Sequence, residues 1–207
     1  MHKNFHRSIK LLIIISSGLG VFLNVIQENF SFNPLLYFTH QSNLLVFIVY
    51  IFYLFRDKKH KQKEITILYQ AVVAIVLTSL VYHAMLRPIL DNTTIFGNGL
   101  VDILVHTITP ILVVIERLVF SKKGVIQRKQ PLLWLSFPMF YFVFTIIYSS
   151  LGGIYHEGTE YESKFPYFFL NFRENGIGYF FLVILLVLMI GYSIYFFNRK
   201  ILIEKRD

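Results

Sequence analysis

Asp102 and His106 stand one helical turn apart inside an apolar stretch, Asn98 to Glu116, which reads NGLVDILVHTITPILVVIE. Ionisable groups at bilayer depth are costly and mark a functional site by default. A carboxylate beside an imidazole can orient the ring and stabilise its cation, which suits a general base or a proton relay. A second polar concentration is the run Thr39-His40-Gln41-Ser42-Asn43. Its Thr39, Ser42 and Asn43 share one helix face by i, i+3, i+4 spacing. An isolated Thr in a membrane helix commonly bonds back to its own helix carbonyl. Five successive polar residues are harder to explain that way, because lipid-facing ones are costly. Ser79, His83 and Arg87 form an i, i+4, i+8 ladder on one face, and Asn98, Asp102 and His106 form another. His83 is a poor metal ligand with the Arg87 guanidinium beside it, so neither metal nor cofactor is implied. Arg87, just before Pro88, is placed to pair with Asp102 or to bind an anionic head group.

The elements that must carry these residues follow from composition. The chain has 207 residues, 55% hydrophobic and only 15% charged, with 22 Phe and 13 Tyr. Soluble domains carry roughly 25% charged residues. Six apolar runs, each about 20 residues long, match the hydrocarbon thickness of about 30 Å. They cover about Ile9–Ile26, Pro34–Phe55, Ile65–Leu86, Leu100–Phe120, Leu132–Leu151 and Ile177–Phe197. Helices are expected, since lipid cannot satisfy open backbone groups and the runs lack the alternation of a barrel. The expected fold is an all-α, polytopic bundle of six transmembrane helices forming one domain over residues 1–207. The first run follows Lys3, Arg7 and Lys10 but has no small-residue cleavage site after it, so it reads as a retained span. The absence of Cys excludes disulfides and thiolate chemistry.

Charge placement sets the expected orientation. All Lys and Arg except Arg87, Lys164 and Arg173 fall in the N-terminal tail, the second and fourth loops and the C-terminal tail. The positive-inside rule then puts both termini in the cytoplasm. It also accounts for the net charge of +8 without nucleic acid. With that orientation, Thr39 lies about 7 Å and His106 about 9 Å below the outer ends of their spans, at 1.5 Å per residue. Asn24, Tyr141, Thr145, Tyr148 and Ser149 fall in the same half, and the inner halves are much less polar. Glu116 and Arg117 read as interface residues, and Pro110 as a kink below His106. The loop from Gly152 to Asn175, with His156, Glu157, Glu160, Tyr161, Glu162 and Tyr167, is long enough for a lid, with a solvated loop as the default. Two explanations of the polar layer stay open: a hydrogen-bonded core that holds the helices together, and a site.

Three segments resemble a known family. They are Tyr37-Phe38-Thr39 with Gln41-Ser42-Asn43-Leu44-Leu45, Asn98 to Glu116 with His106-Thr107, Pro110 and Glu116, and Phe165-Pro166-Tyr167-Phe168-Phe169-Leu170. Together with span number and order they are similar to the androgen-induced-gene-one and FAR-17a family, and more closely to its bacterial relatives, the probable six-transmembrane proteins. Characterised animal members are threonine hydrolases of fatty acid esters of hydroxy fatty acids, using a Thr and a His within the membrane. The resemblance implies Thr39 as nucleophile and His106 as its base. Asp102 would orient His106, and Asn43 or Ser42 would donate to the oxyanion. The partner expected is a lipid or fatty-acid ester entering from the membrane. Composition rich in Ile, Lys, Phe and Asn suits a bacterium with an AT-rich genome, so the expected location is a bacterial cell membrane. The alternative is a non-enzymatic protein that binds or transports a small amphipathic ligand in the polar layer, with His83 and Arg87 among the binding residues.

Overall fold

The computed structural model describes residues 2–56, 61–89, 99–157, 162–171 and 177–200. Asn98, Glu160, Tyr161, Arg173 and the basic residues Lys58, Lys59, Lys205 and Arg206 lie outside them. Among the described residues there is no strand, only an isolated antiparallel bridge between Tyr155 and Ser163. Six helices are long and apolar enough to cross a membrane: α1 (Asn4–Gln27), α2 (Phe38–Phe55), α3 (Gln62–Leu86), α4 (Gly99–Phe120), α5 (Gln130–Ser150) and α6 (Gly178–Lys200).

α3 is the central element, with 56% of its most apolar window buried, against 17% for the peripheral α6. Ile13, Val46, Tyr50, Val73, Ile75 and Val113, drawn from α1 to α4, form the fully buried centre. α1 and α4 approach closely at Gly20, where a Cβ would meet Val105 Cγ1 at 2.6 Å. The apolar faces of α5 and α6, such as Phe140, Ile147, Phe181 and Leu185, are exposed. An apolar exterior suits hydrocarbon as solvent.

Three local departures from ideal helix shape the rest. α2 starts later than hydropathy suggests. Pro34 begins a separate 3-10 turn, Asn33–Leu36, and Tyr37 is extended at φ −97, ψ 140. α2 then starts at Phe38, so Thr39 sits in its first turn rather than about 7 Å down an established helix. The other two departures are single π turns, Tyr82–Leu86 in α3 and Leu104–Ile108 in α4. Each lies just before a proline, Pro88 or Pro110. Proline has no N–H and its ring crowds the carbonyl four residues back. In α4 the wider turn absorbs that clash, and the Thr109 N–H reaches the Leu104 carbonyl. Pro110 therefore leaves the Val105 and His106 carbonyls without a helical donor. Asn43 Nδ2 donates to the Val105 carbonyl at 3.2 Å, and Ser79 Oγ to the His106 carbonyl at 2.8 Å.

The basic-loop end of the bundle is more polar than its sequence suggests. Glu116 is fully buried rather than interfacial. Its carboxylate accepts from His6 Nε2 at 2.6 Å, from the Tyr50 hydroxyl at 2.9 Å, and from the neighbouring Arg117 guanidinium. Tyr69 bonds Ser121 at 2.7 Å, Gln130 donates to Thr66 at 2.7 Å, and Asn198 caps the Lys122 carbonyl at 2.9 Å. Each span supplies only one or two of these groups, so no single stretch looked polar.

Candidate functional site

The site forms where the first turn of α2 meets the π turns of α3 and α4. Thr39 Oγ1 lies 3.2 Å from His106 Nε2. His106 Nδ1 lies 2.9 Å from Asp102 Oδ1, and the Tyr82 hydroxyl donates to Asp102 Oδ2 at 2.6 Å. The Tyr82 ring also stacks on His106, with centroids 3.7 Å apart and planes 9° from parallel. Imidazole orientation is thus fixed by a hydrogen bond at each nitrogen and by a ring on its face. A carboxylate only accepts, so the proton of a neutral His106 belongs on Nδ1. That leaves the Nε2 lone pair directed at the Thr39 hydroxyl. The chemistry this permits is general-base activation of an alcohol, for which a separation of about 2.6–3.2 Å is needed.

The other residues singled out in the sequence have different tasks. Ser42 is fully buried; its hydroxyl lies 2.9 Å from the Thr39 carbonyl and 2.8 Å from Thr78 Oγ1. Asn43 is also fully buried, and its amide donates to the Thr39 and Val105 carbonyls. These polar hydrogens are committed to helix stitching, so the oxyanion role expected of Ser42 or Asn43 is not supported by their placement. Their contribution is to hold the Thr39 backbone and the His106 turn in register. His83 pairs with Thr107 at 3.2 Å, because the π turn takes it off the straight ladder with Ser79. Arg87 is exposed and, among the described residues, makes no ion pair with Asp102, whose oxygens are taken by His106 and Tyr82. Neither His83 nor Arg87 lines the cavity described next.

Thr39, Asp102, His106 and Tyr82 open onto a cavity of about 470 Å³. Asn24 of α1 and Tyr148 of α5 also face it. Residues of the segment after α5, among them Ile154, His156, Pro166 and Tyr167, form part of its wall. Gly152, at φ +90, turns the chain. Tyr155 is buried, and the His156 N–H donates to the Tyr37 hydroxyl at 3.1 Å. Burial pushes Tyr37 and Tyr155 up to about 12, so both phenols stay neutral at ordinary pH. On the far side of Thr39 a narrow apolar slot runs between α3, α5 and α6, lined by Leu77, Val81, Met139, Phe142, Phe180 and Val183. Thr39 and Tyr167 border both spaces.

Tyr82 and Tyr167 are the site residues that sequence reasoning missed. Tyr82 precedes His83 in the ladder and was masked by the assumption of a regular helix through Pro88. Tyr167 lies in the Phe165–Leu170 segment, but nothing there indicates that its hydroxyl faces the Thr39 side chain and the first-turn amides of Phe38 and Thr39. A signal was present in Pro34: a proline near a span's start permits an early turn and a later helix N-terminus.

No protein-family model, curated protein or solved structure matches the chain.

Proposed function

We propose that the chain is an intramembrane hydrolase of acyl esters, in keeping with the family its sequence resembles. The observation that carries this is the continuous relay Thr39–His106–Asp102–Tyr82 at a junction between a polar cavity and an apolar slot. A hydroxyl from α2, an imidazole and a carboxylate from α4 and a phenol from α3, hydrogen-bonded in series, are more than a polar core requires for packing. In the reaction, Thr39 Oγ1 bonds to the ester carbonyl carbon while His106 Nε2 takes its proton. The resulting oxyanion is met by the α2 first-turn amides, which carry the positive end of the helix dipole, and by the Tyr167 hydroxyl. Collapse expels the alcohol into the polar cavity, with the proton returned from His106. Water, deprotonated by His106, then releases the acid from Thr39. The acyl chain occupies the apolar slot and the alcohol the polar cavity, so the bond to be cut lies at Thr39.

The same reading places both termini in the cytoplasm by the distribution of Lys and Arg, and the site in the outer half of a cell membrane. The experiment is hydrolysis by the purified protein in detergent, followed by chromatography of the released acid. Thr39→Ala and His106→Ala are expected to abolish release while the thermal transition is kept. Release that survives both substitutions rejects Thr39 and His106 as its machinery, and no release by the wild-type protein leaves ligand binding or transport through the cavity as the better account.

A further inference from the structure

The apolar slot beside Thr39 is too small for a long acyl chain. Its volume is about 60 Å³, whereas an apolar cavity of about 150 Å³ is what one benzene occupies. Only the first few carbons of an acyl group fit within its walls, so the rest of a long chain must leave them. Burial sets the direction of exit. The deep wall, with Phe38, Leu77 and Thr78, is buried. Met139 and Phe142 of α5 and Phe180 and Val183 of α6 are partly exposed. Their neighbours Phe140, Val143, Phe181 and Leu182 are exposed, an apolar surface suited to hydrocarbon. Helix packing gives the slot its opening on that side. Near the basic-loop end α5 and α6 touch closely: a Cβ on Gly191 would meet Pro131 Cβ at 3.2 Å and Trp134 Cε3 at 3.3 Å. Beyond Ser136 the two backbones draw apart. There the rings of Phe142 and Phe180 bridge the gap, with centroids 4.6 Å apart and planes 37° from parallel. Such a ring pair is held by packing and can part without breaking a hydrogen bond.

We propose that the gap between α5 and α6, closed by Phe142 and Phe180, is the passage by which a long acyl chain reaches Thr39 from the membrane. The carbonyl end lies at Thr39 and the first carbons fill the slot. The tail runs out between α5 and α6 into the surrounding hydrocarbon. The substrate class is therefore long-chain esters dissolved in the bilayer, and the site sets no upper limit on acyl length. Cleavage of such a chain rests on the hydrolase reading; its entry between α5 and α6 does not.

The chain has no cysteine, so Phe142→Cys/Phe180→Cys protein in lipid nanodiscs can be bridged selectively with a short, reducible bis-methanethiosulfonate. The substrates are 4-nitrophenyl hexadecanoate and 4-nitrophenyl butanoate, the second short enough to fit the slot and to arrive through the polar cavity. Bridging is expected to lower kcat/KM for the hexadecanoate about tenfold or more, equivalent to unseating about two methylenes, and to leave the butanoate unchanged. Reduction is expected to restore the loss, and each single-cysteine variant given the same reagent to keep its hexadecanoate rate. An unchanged hexadecanoate rate after bridging, or an equal loss on both esters, overturns the proposal. Entry is also read without turnover. A long-chain methyl ketone with a diazirine beside its carbonyl is expected to label the buried Leu77 on photolysis, and bridging to abolish that label. Labelling that bridging abolishes, with no hydrolysis of either ester, rejects the hydrolase reading alone. Labelling that is absent, or that bridging leaves in place, rejects the passage alone.

Discussion

Replacing Asp102 by Asn changes one proton acceptor and almost no volume, and its effect follows from the hydrogen bonds around it. Asp102 receives the Tyr82 hydroxyl on Oδ2 at 2.6 Å and faces His106 Nδ1 with Oδ1 at 2.9 Å. In the Asp102→Asn variant the Tyr82 hydroxyl still needs an acceptor and takes the amide oxygen. The amide NH2 then faces Nδ1, which must accept, so the ring proton moves to Nε2. Nε2 can no longer take the Thr39 proton. Loss of the correct tautomer in a comparable triad costs about 10⁴-fold in kcat, or roughly 5 kcal/mol of barrier. Tyr82→Phe alone removes one partly exposed bond to a carboxylate and should cost about fivefold, near 1 kcal/mol. The double variant is the decisive one. Without the Tyr82 hydroxyl the amide can rotate and offer its oxygen to Nδ1, so Asp102→Asn/Tyr82→Phe should be faster than Asp102→Asn by about tenfold or more. The assay is initial-rate ester hydrolysis in detergent, with thermal transitions recorded for every variant. An Asp102→Asn protein that hydrolyses ester within tenfold of wild type, or a double variant slower than the single one, refutes the tautomer argument.

Other substitutions probe how the site is held. Ser79→Ala orphans the His106 carbonyl and should cost about 1–3 kcal/mol, a fall in Tm of about 2–12 °C. Adding Pro110→Ala restores a backbone N–H for that carbonyl, so the double variant should melt above Ser79→Ala; a lower Tm would contradict this account of the π turn. At the far end of the bundle, Glu116→Gln leaves the Arg117 charge uncompensated and should cost about 3–5 kcal/mol, roughly 6–20 °C in Tm. Glu116→Leu/Arg117→Met removes both charges and should recover most of that loss in the same melting assay. Recovery of less than a quarter would mean that the pair does more than neutralise itself.

Span number and order were legible because an apolar run of about 20 residues has few other uses. The pairing of Asp102 with His106 was also legible from turn spacing, whereas Thr39 meets His106 from the first turn of α2 and not from the depth expected of it. Asn43 shares Thr39's helix face, yet a shared face does not tell whether a donor points to a cavity or to a carbonyl freed by Pro110. That distinction depends on the π turn, and a periodicity of 3.6 assumes the turn away. Glu116 shows a similar blind spot. Its single carboxylate beside Arg117 looked interfacial because His6 and Tyr50, which also bind it, come from two other helices. The part of the cavity wall after α5 depends on contacts such as the His156 N–H to the Tyr37 hydroxyl, between residues 119 positions apart.

A covalent intermediate on Thr39 is the most direct test of the central claim. The protein is incubated with a hexadecanoyl ester, quenched in acid within the first turnover, digested, and its peptides are weighed. A hexadecanoyl adduct on the peptide containing Thr39, fragmenting to that residue and absent from Thr39→Ala, is the predicted result. Turnover with no adduct at Thr39, or an adduct on another residue that persists in Thr39→Ala, would contradict the account.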